Sequence, residues 1–430
     1  MQRFKDKIKV IRSVITEGTD FRLYSLDTLF FFGLSLIIFT LQFNHIKGTS
    51  NTGITIVLLS WIIQKVISKD WKIRTNPLLI PIVILFATTL ISLISCYNFS
   101  YTLSRIRGEI LTLSLLFIAI ADFCNTHNKT YIILYLFLIS NLFTILLFLS
   151  VFCVYHFNIH DFVNSVASKQ LFFTGLPHSS AYFLFSTTLI YSALYYIKYM
   201  KWYFILVPYF LLNLFFLFIC NQRGALIGFF CVLFVHFLFF KQHRKRSFYT
   251  ILFIFIISGI IVITTPFKTI LIHEDWSKIA KLNFSSKNKE DSVQVRIHIQ
   301  QYFFQYLKKH PFKGVGYGRK NLRKVEKVLT IPKPTLTHAH NVFFNIALQT
   351  GLQGLLALLY LIFIQFKMTL NGFKESRHNL DRFLFLGTFL FMIGIWSRMQ
   401  IDDVFRYGTA LGYWIVMGMI TSLWLNIKQE

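Results

Sequence analysis

The stretch LTHAHNVFFNIALQTGLQGLLALLY, residues 336–360, begins polar and runs into an apolar segment punctuated by Gly351 and Gly354. His338 and His340 stand one residue apart at its mouth. From 341 to 366 the chain is apolar enough for one helix that crosses a bilayer, which takes about 20 mostly apolar residues. The two glycines, three apart on one face, are expected to let a neighbouring helix approach closely. An HxHN cluster at such a boundary meets water on one side and lipid on the other.

The rest of the chain repeats this texture. Of 430 residues 55% are hydrophobic and 14% charged, with fifty phenylalanines and a mean hydropathy of +0.56. That excess of apolar surface defines an integral membrane protein. Twelve apolar runs are long enough to span, at roughly 26–44, 52–68, 77–97, 108–124, 130–156, 177–196, 202–220, 223–240, 248–266, 341–366, 382–400 and 405–426. Unbroken runs mean helices rather than the short alternating strands of a barrel. The expected fold is therefore an all-α polytopic membrane protein of about twelve transmembrane helices with one long loop containing helices. It divides into helices 1–9 within residues 1–266, the loop 267–340, and helices 10–12 within 341–430.

Net charge of +26 suggests nucleic acid at first sight. The basic residues are instead scattered in short blocks between apolar runs, as in polytopic membrane proteins, so no nucleic acid is expected and membrane lipids are the natural partner. With the basic N-terminus inside, KDWKIRTN, NTHNKT, IKYMK, KQHRKRS and KMTLNGFKESRHNLDR fall on one side. HIKGTSN, NFSYTLSRIRG and RMQIDDVFR fall on the other. The opening MQRFKDKIKVIRSVITEGTDFR lacks the apolar core of a cleaved signal peptide and reads as a surface leader. Cys96, Cys124, Cys153, Cys220 and Cys231 have no metal-type spacing and read as packing thiols.

The loop 267–340 holds fifteen Lys/Arg against five Asp/Glu. Long loops translocate regardless of charge, so it is assigned to the outer side. DSVQVRIHIQQYFFQYLKKHPF has helical periodicity, with Val293, Ile297, Tyr302 and Tyr306 along one stripe and Pro311 ending the helix. Gly314, Gly316 and Gly318 then predict a mobile turn.

Several residues can carry chemistry. His340 is placed to take a proton from a hydroxyl, and Asn341 to cap the helix or orient the imidazole. An interfacial histidine satisfied by backbone, or half of a zinc site, are the competing readings. Arg223, in CNQRGALIGFF, costs at least about 2.5–3.5 kcal/mol at membrane mid-depth, less toward the interface. It either binds an anion, with Gly224 giving room, or snorkels to the interface. Arg296 lies in the amphipathic loop helix, where a solvated surface arginine is the bland alternative. Arg105 and Arg107 stand at an outer helix end, His178 at another, and Arg319 follows the glycine turn. Asp402 and Asp403 are expected to be neutralised by the flanking Arg398 and Arg406, with a metal site or a base as alternatives.

These features resemble a family. HNVFFNIALQTGLQG (340–354) fits H-N-x9-G-x-x-G, and is preceded in order by QRGALIG, QVRIHI and HPFKGVGYG. The pattern is similar to the bacterial O-antigen ligases (WaaL) and the related O-antigen polymerases and protein O-oligosaccharyltransferases. The resemblance implies a glycosyltransferase in the bacterial inner membrane, with its site and long loop facing the periplasm. It implies undecaprenyl-pyrophosphate-linked glycan as donor and lipid A–core as acceptor, with inversion at the anomeric carbon and no metal or other cofactor. The family's catalytic histidine falls on His340 and its two arginines on Arg223 and Arg296. His338, Asn341, Arg107 and Arg319 are the expected substrate contacts. A polymerase of the same superfamily is the alternative. A transporter is the rival from another class, and the inverted repeats that would mark one are not seen.

Overall fold

The structure is a computed structural model that describes residues 21–43, 46–158, 161–163, 166, 175–196, 199–220, 222–240, 244–253, 292–322, 325 and 339–430. The expected surface leader, most of the ninth span, the start of the long loop and His338 lie outside these residues, as do the side chains of residues 292–298, including Arg296.

The first helices are α1 (Phe21–Thr40), α2 (Lys47–Ser68), α3 (Leu79–Ile91), α4 (Phe99–Arg105), α5 (Thr112–Phe123) and α6 (His127–Val154). Then come α7 (Leu176–Tyr196), α8 (Met200–Ile219), α9 (Arg223–Phe239) and α10 (Ser292–Lys309). The last four are α11 (Val342–Thr350), α12 (Leu352–Glu375), α13 (Asn379–Arg398) and α14 (Tyr407–Gln429). Lys47–Ser68, His127–Val154, Met200–Ile219, Leu352–Glu375, Asn379–Arg398 and Gly408–Gln429 are long and apolar enough to cross a membrane. Ser25–Thr40, Leu79–Ser95 and Arg223–Phe239 are shorter apolar helices. The protein is thus an all-α membrane protein, while twelve full spans is more than these residues display.

The reason is visible in α7. It is buried on nearly every side, so it need not be greasy: Ser179, Ser180, Ser186, Thr187, Thr188 and Ser192 are all buried within it. Ser192 Oγ donates to its own helix at Leu189 O (2.7 Å) and contacts Phe383 O of α13 (2.8 Å). Small polar residues let α13 come close, as is usual between membrane helices. Glycine does the same between α9 and α13, where a β-carbon on Gly228 would overlap the Gly394 carbonyl. Gly228→Ala should push the two helices apart and cost about 1–3 kcal/mol. A thermal unfolding midpoint equal to that of wild type would contradict this.

Two expected spans are broken. The run 108–124 is not one helix: α4 passes through a π-helical segment, Ile106–Leu111, before α5 begins. Thr112 closes the wide turn, its backbone N–H and its Oγ1 (2.8 Å) both donating to Arg107 O. Gly108, with open space where a β-carbon would be, supplies the weak helix former that permits it. The run 341–366 is likewise two helices. α11 stops at Gly351, whose φ of 81° and ψ of 175° no other residue adopts cheaply. A β-carbon on Gly354 would overlap the Thr350 side chain. Both glycines therefore shape the break itself, rather than offering a face to another helix.

Polar groups gather at the two ends of the bundle. At one end Asp122 accepts from Trp61 Nε1 (2.8 Å) and Arg74 N (2.9 Å) and pairs with Lys65 (2.7 Å). Nearby Lys129 pairs with Asp27 (2.8 Å) and Tyr131 donates to Asp381 (2.6 Å). The opposite end carries the residues that the sequence marked for chemistry.

Candidate functional site

The short helix α11 is the centre of this second end. Asn341 caps it: Oδ1 accepts from the backbone N–H of Phe343 (2.9 Å) and Phe344 (3.2 Å), while Nδ2 donates to Gln400 O (3.1 Å). Asn341→Ala should cost about 0.5–2 kcal/mol through the lost cap. An unchanged unfolding midpoint would show that the cap is dispensable.

His340 sits just before the cap with a φ of +52°, in the left-handed region. Its neighbours fix that backbone. Ala339 N–H donates to Asn345 Oδ1 (2.8 Å), and Ala339 O accepts from Gln300 Nε2 of α10 (3.2 Å). Val342 N–H donates to Met399 O (3.0 Å). A non-glycine residue held in this region by bonds on both sides is a strained element, and strain of this kind concentrates at functional sites.

Asp403 ties the end together. It pairs with Arg319, whose guanidinium also donates to the Asp403 carbonyl, and its Oδ2 accepts from Asn345 Nδ2. Asn345 thus links Asp403 to the backbone beside His340. Burial pushes the Asp403 carboxyl above the usual range, opposed by Arg319 and Arg406. Burial likewise lowers Arg319, opposed chiefly by Asp403. Neutralisation of the acidic pair by arginine was expected, but the ion-pair partner of Asp403 is Arg319, 84 positions away, rather than a flanking arginine. Asp402 stands 3.9 Å from Arg398.

The glycine turn is pinned, not mobile. Val315 N–H and Gly316 N–H donate to Leu348 O and Gln349 O (both 3.0 Å), taking up carbonyls at the end of α11 that a helix leaves open. Gly318 N–H donates to Gln349 Oε1 (2.7 Å) and Tyr317 N–H to Ser92 Oγ (3.1 Å). Gly316 and Gly318 have φ of 99° and 107°, which is why glycine is required there. α10 ends at Lys309, before Pro311 as expected. Among its described side chains Ile299 and Phe303 are buried, packed with Ala339 and Leu348, and Tyr306 of the expected stripe packs against them, whereas Val293 and Ile297 lie outside the described side chains.

Beside α11 a cavity of about 540 Å³ opens between α1, α2, the π segment, α12 and α14. Its lining includes three cations, Lys47, Arg105 and Arg406, against one carboxylate, Glu109. Arg105 is 2.9 Å from Glu109. His178 also lines it, with Nδ1 2.8 Å from Thr409 Oγ1. Much of the remaining wall is apolar and aromatic, with Leu358, Leu361, Trp396, Phe405 and Trp414 among its residues. A smaller pocket adjoins, lined by Tyr101, Arg319, Asn345 and Asp403 among others. A larger, shallower groove of about 830 Å³ lies at the opposite end, walled by tyrosines and Arg246, away from α11.

The predicted site residues separate on this map. Val342 and Ile346 of α11 face the cavity, whereas His340 stands at the head of that helix. Arg107 is exposed, and it is Arg105 and Glu109 of the same segment that line the space. Arg319 is committed to Asp403. Arg223 begins α9 with an exposed side chain, and the room made by Gly224 is filled by Arg398, whose Cγ would lie 3.2 Å from a β-carbon there. Arg398 itself is wholly buried and donates to Pro177 O (2.8 Å). Arg296 lies on α10, the helix whose Gln300 holds Ala339. Asn345 and Gln349 were missed, although Asn341 and Asn345 stand one helical turn apart.

A helical membrane protein with a cationic, partly apolar cavity beside a strained histidine suits a lipid ligand that carries an anion. Residues 208–359 match the family model described as O-antigen ligase (Wzy_C). The match runs from α8 through α9, α10, the pinned turn and α11 into the first part of α12, and bears out over that stretch the resemblance drawn from the sequence. Members of that family are glycosyltransferase-like enzymes acting on lipid-linked glycans. No curated protein matches the chain.

Proposed function

We propose that this protein is an O-antigen ligase of the bacterial inner membrane. It transfers a glycan from undecaprenyl pyrophosphate to a sugar hydroxyl of lipid A–core on the periplasmic side. The observation that carries the reading is that the family match runs through the strained His340 and through α11, whose Val342 and Ile346 face the cationic cavity.

In this reading the donor's pyrophosphate sits at the cavity mouth, where Arg105 and Arg406 supply positive charge, and its polyprenyl chain leaves along apolar helix faces. Arg223 and Arg296 stay assigned to the pyrophosphate from the resemblance, stabilising the charge that grows on the leaving group as the anomeric C–O bond breaks. His340 takes the proton of the acceptor hydroxyl as that oxygen attacks from the opposite face, which inverts the anomeric carbon. The activation is stored in the donor, so neither metal nor nucleotide is called for. Asn341, Arg319 and Asp403 hold α11 and the residue before it, and so act on His340 through the backbone. His338 and Arg107 are assigned to the outward side, toward the phosphorylated acceptor.

Lipopolysaccharide from a strain lacking the gene tests this. Loss of polymer from lipid A–core, with lipid-linked polymer accumulating, is the expected result. Lipid A–core capped with a single repeat would mean a polymerase instead.

A further inference from the structure

The wall of the cavity carries a hydrogen-bond relay that ends unfinished. Trp396 Nε1 donates to the Tyr413 hydroxyl (3.1 Å), and that hydroxyl donates to Gln365 Oε1 (2.6 Å). Gln365 is wholly buried and lines the cavity, as do Tyr413 and Trp396. Its amide nitrogen has no hydrogen-bond partner among the described residues. Exchanging the two ends of the amide leaves its oxygen unpaired instead, because Tyr413 satisfies only one of them. Folded proteins leave few buried amide atoms unpaired, and this one belongs to a residue of the cavity wall.

Around Gln365 the wall is aromatic. Trp396, Phe405 and Tyr413 pack with ring centroids 5.2–5.7 Å apart. A planar amide next to aromatic faces suits a ligand with an apolar face and a polar rim. A pyranose ring has both: axial C–H bonds on its face and oxygens around its edge. A polyprenyl chain offers no hydrogen-bonding atom, so a tail lying here would leave the relay as it stands.

We infer that this part of the cavity wall seats the sugar ring next to the pyrophosphate, with the Trp396–Phe405–Tyr413 cluster against the ring face and the Gln365 amide on one ring substituent. Gln365 is then a specificity-determining residue, reached through a relay that fixes its orientation. The inference rests on the glycosyl-transfer reading above, since it supposes that the cavity holds the donor.

Binding tests it without any acceptor. Purified full-length protein is titrated with a polyprenyl-pyrophosphate monosaccharide and with its deoxy analogues, each lacking one ring hydroxyl. Wild type and Gln365→Met, a change of similar volume, are compared. At one ring position, removing the hydroxyl should weaken wild-type binding roughly tenfold or more, since a buried amide is again left unpaired. The same change should cost Gln365→Met less than about twofold. If Gln365→Met fails to fold, Tyr413→Phe, which releases the amide, should shrink the same coupling. Equal losses in wild type and variant at every position would overturn the inference, as would wild type binding none of the donors, or binding all of them equally. Donor binding with this coupling, but no transfer once lipid A–core is added, would leave the sugar seat standing and remove the ligase reading.

Discussion

Asp403→Ala should cost the fold about 3–5 kcal/mol, the usual result of removing one partner from a buried ion pair. Arg319 would be left largely buried beside Arg406 with no carboxylate on its guanidinium. Asn345 would lose the acceptor of its Nδ2 and with it part of its hold on Ala339. The protein should therefore unfold at a lower temperature and also lose activity beyond the loss of folded material. Asp403→Asn keeps an acceptor for Asn345 and should lose less. Arg319→Ala should resemble Asp403→Ala, and the double variant should cost less than the two single costs added, because the pair is lost only once. Single variants as stable as wild type, or strictly additive costs, would show that Asp403 does not tie this end together.

The second large effect is on chemistry. His340→Asn should lower transfer by about 10²–10⁴-fold, the range for a general base, with little change in stability. Asparagine is chosen because it tolerates the left-handed backbone, φ +52° at this position, better than alanine does. The variant keeps the break before α11 and removes only the imidazole. Transfer within a few-fold of wild type would remove His340 from the reaction. A fall in unfolding temperature matching that of Asp403→Ala would mean that His340 supports the fold instead.

Both predictions rest on residues that the sequence disclosed unequally. The Asn341 cap was legible, because a polar pair at the start of an apolar run has a narrow set of uses, and the same pattern made His340 a candidate. The helical content was legible for the same reason that hydropathy works, since lipid-facing helices such as α6 and α8 must be apolar all along. The breaks at Gly351 and Ile106–Leu111 were not. Apolar residues resume after both, and what decides them is a backbone angle at one glycine and a carbonyl taken up by Thr112. α7 shows the converse, a helix too polar to look like a strong span because its serines and threonines face protein.

The site's electrostatics were the hardest part to read. Arg319 and Asp403 are far apart in the chain, and no local spacing joins them. Arg105 and Arg107 are two positions apart, and it is the packing of neighbouring helices that leaves Arg105 lining the cavity and Arg107 exposed. Gly224 was correctly singled out as making room, yet the occupant is Arg398 from another helix. In each case the residue type was visible in sequence and its partner belonged to the tertiary structure.

The most direct test of the ligase reading is transfer with purified components. Detergent-solubilised protein is mixed with undecaprenyl-pyrophosphate glycan and lipid A–core, in EDTA and without nucleotide, and the products are separated by mass. The account predicts glycan covalently joined to lipid A–core, formed by wild type and lost with His340→Asn. No transfer by folded wild type from a matched donor to a matched acceptor would contradict it.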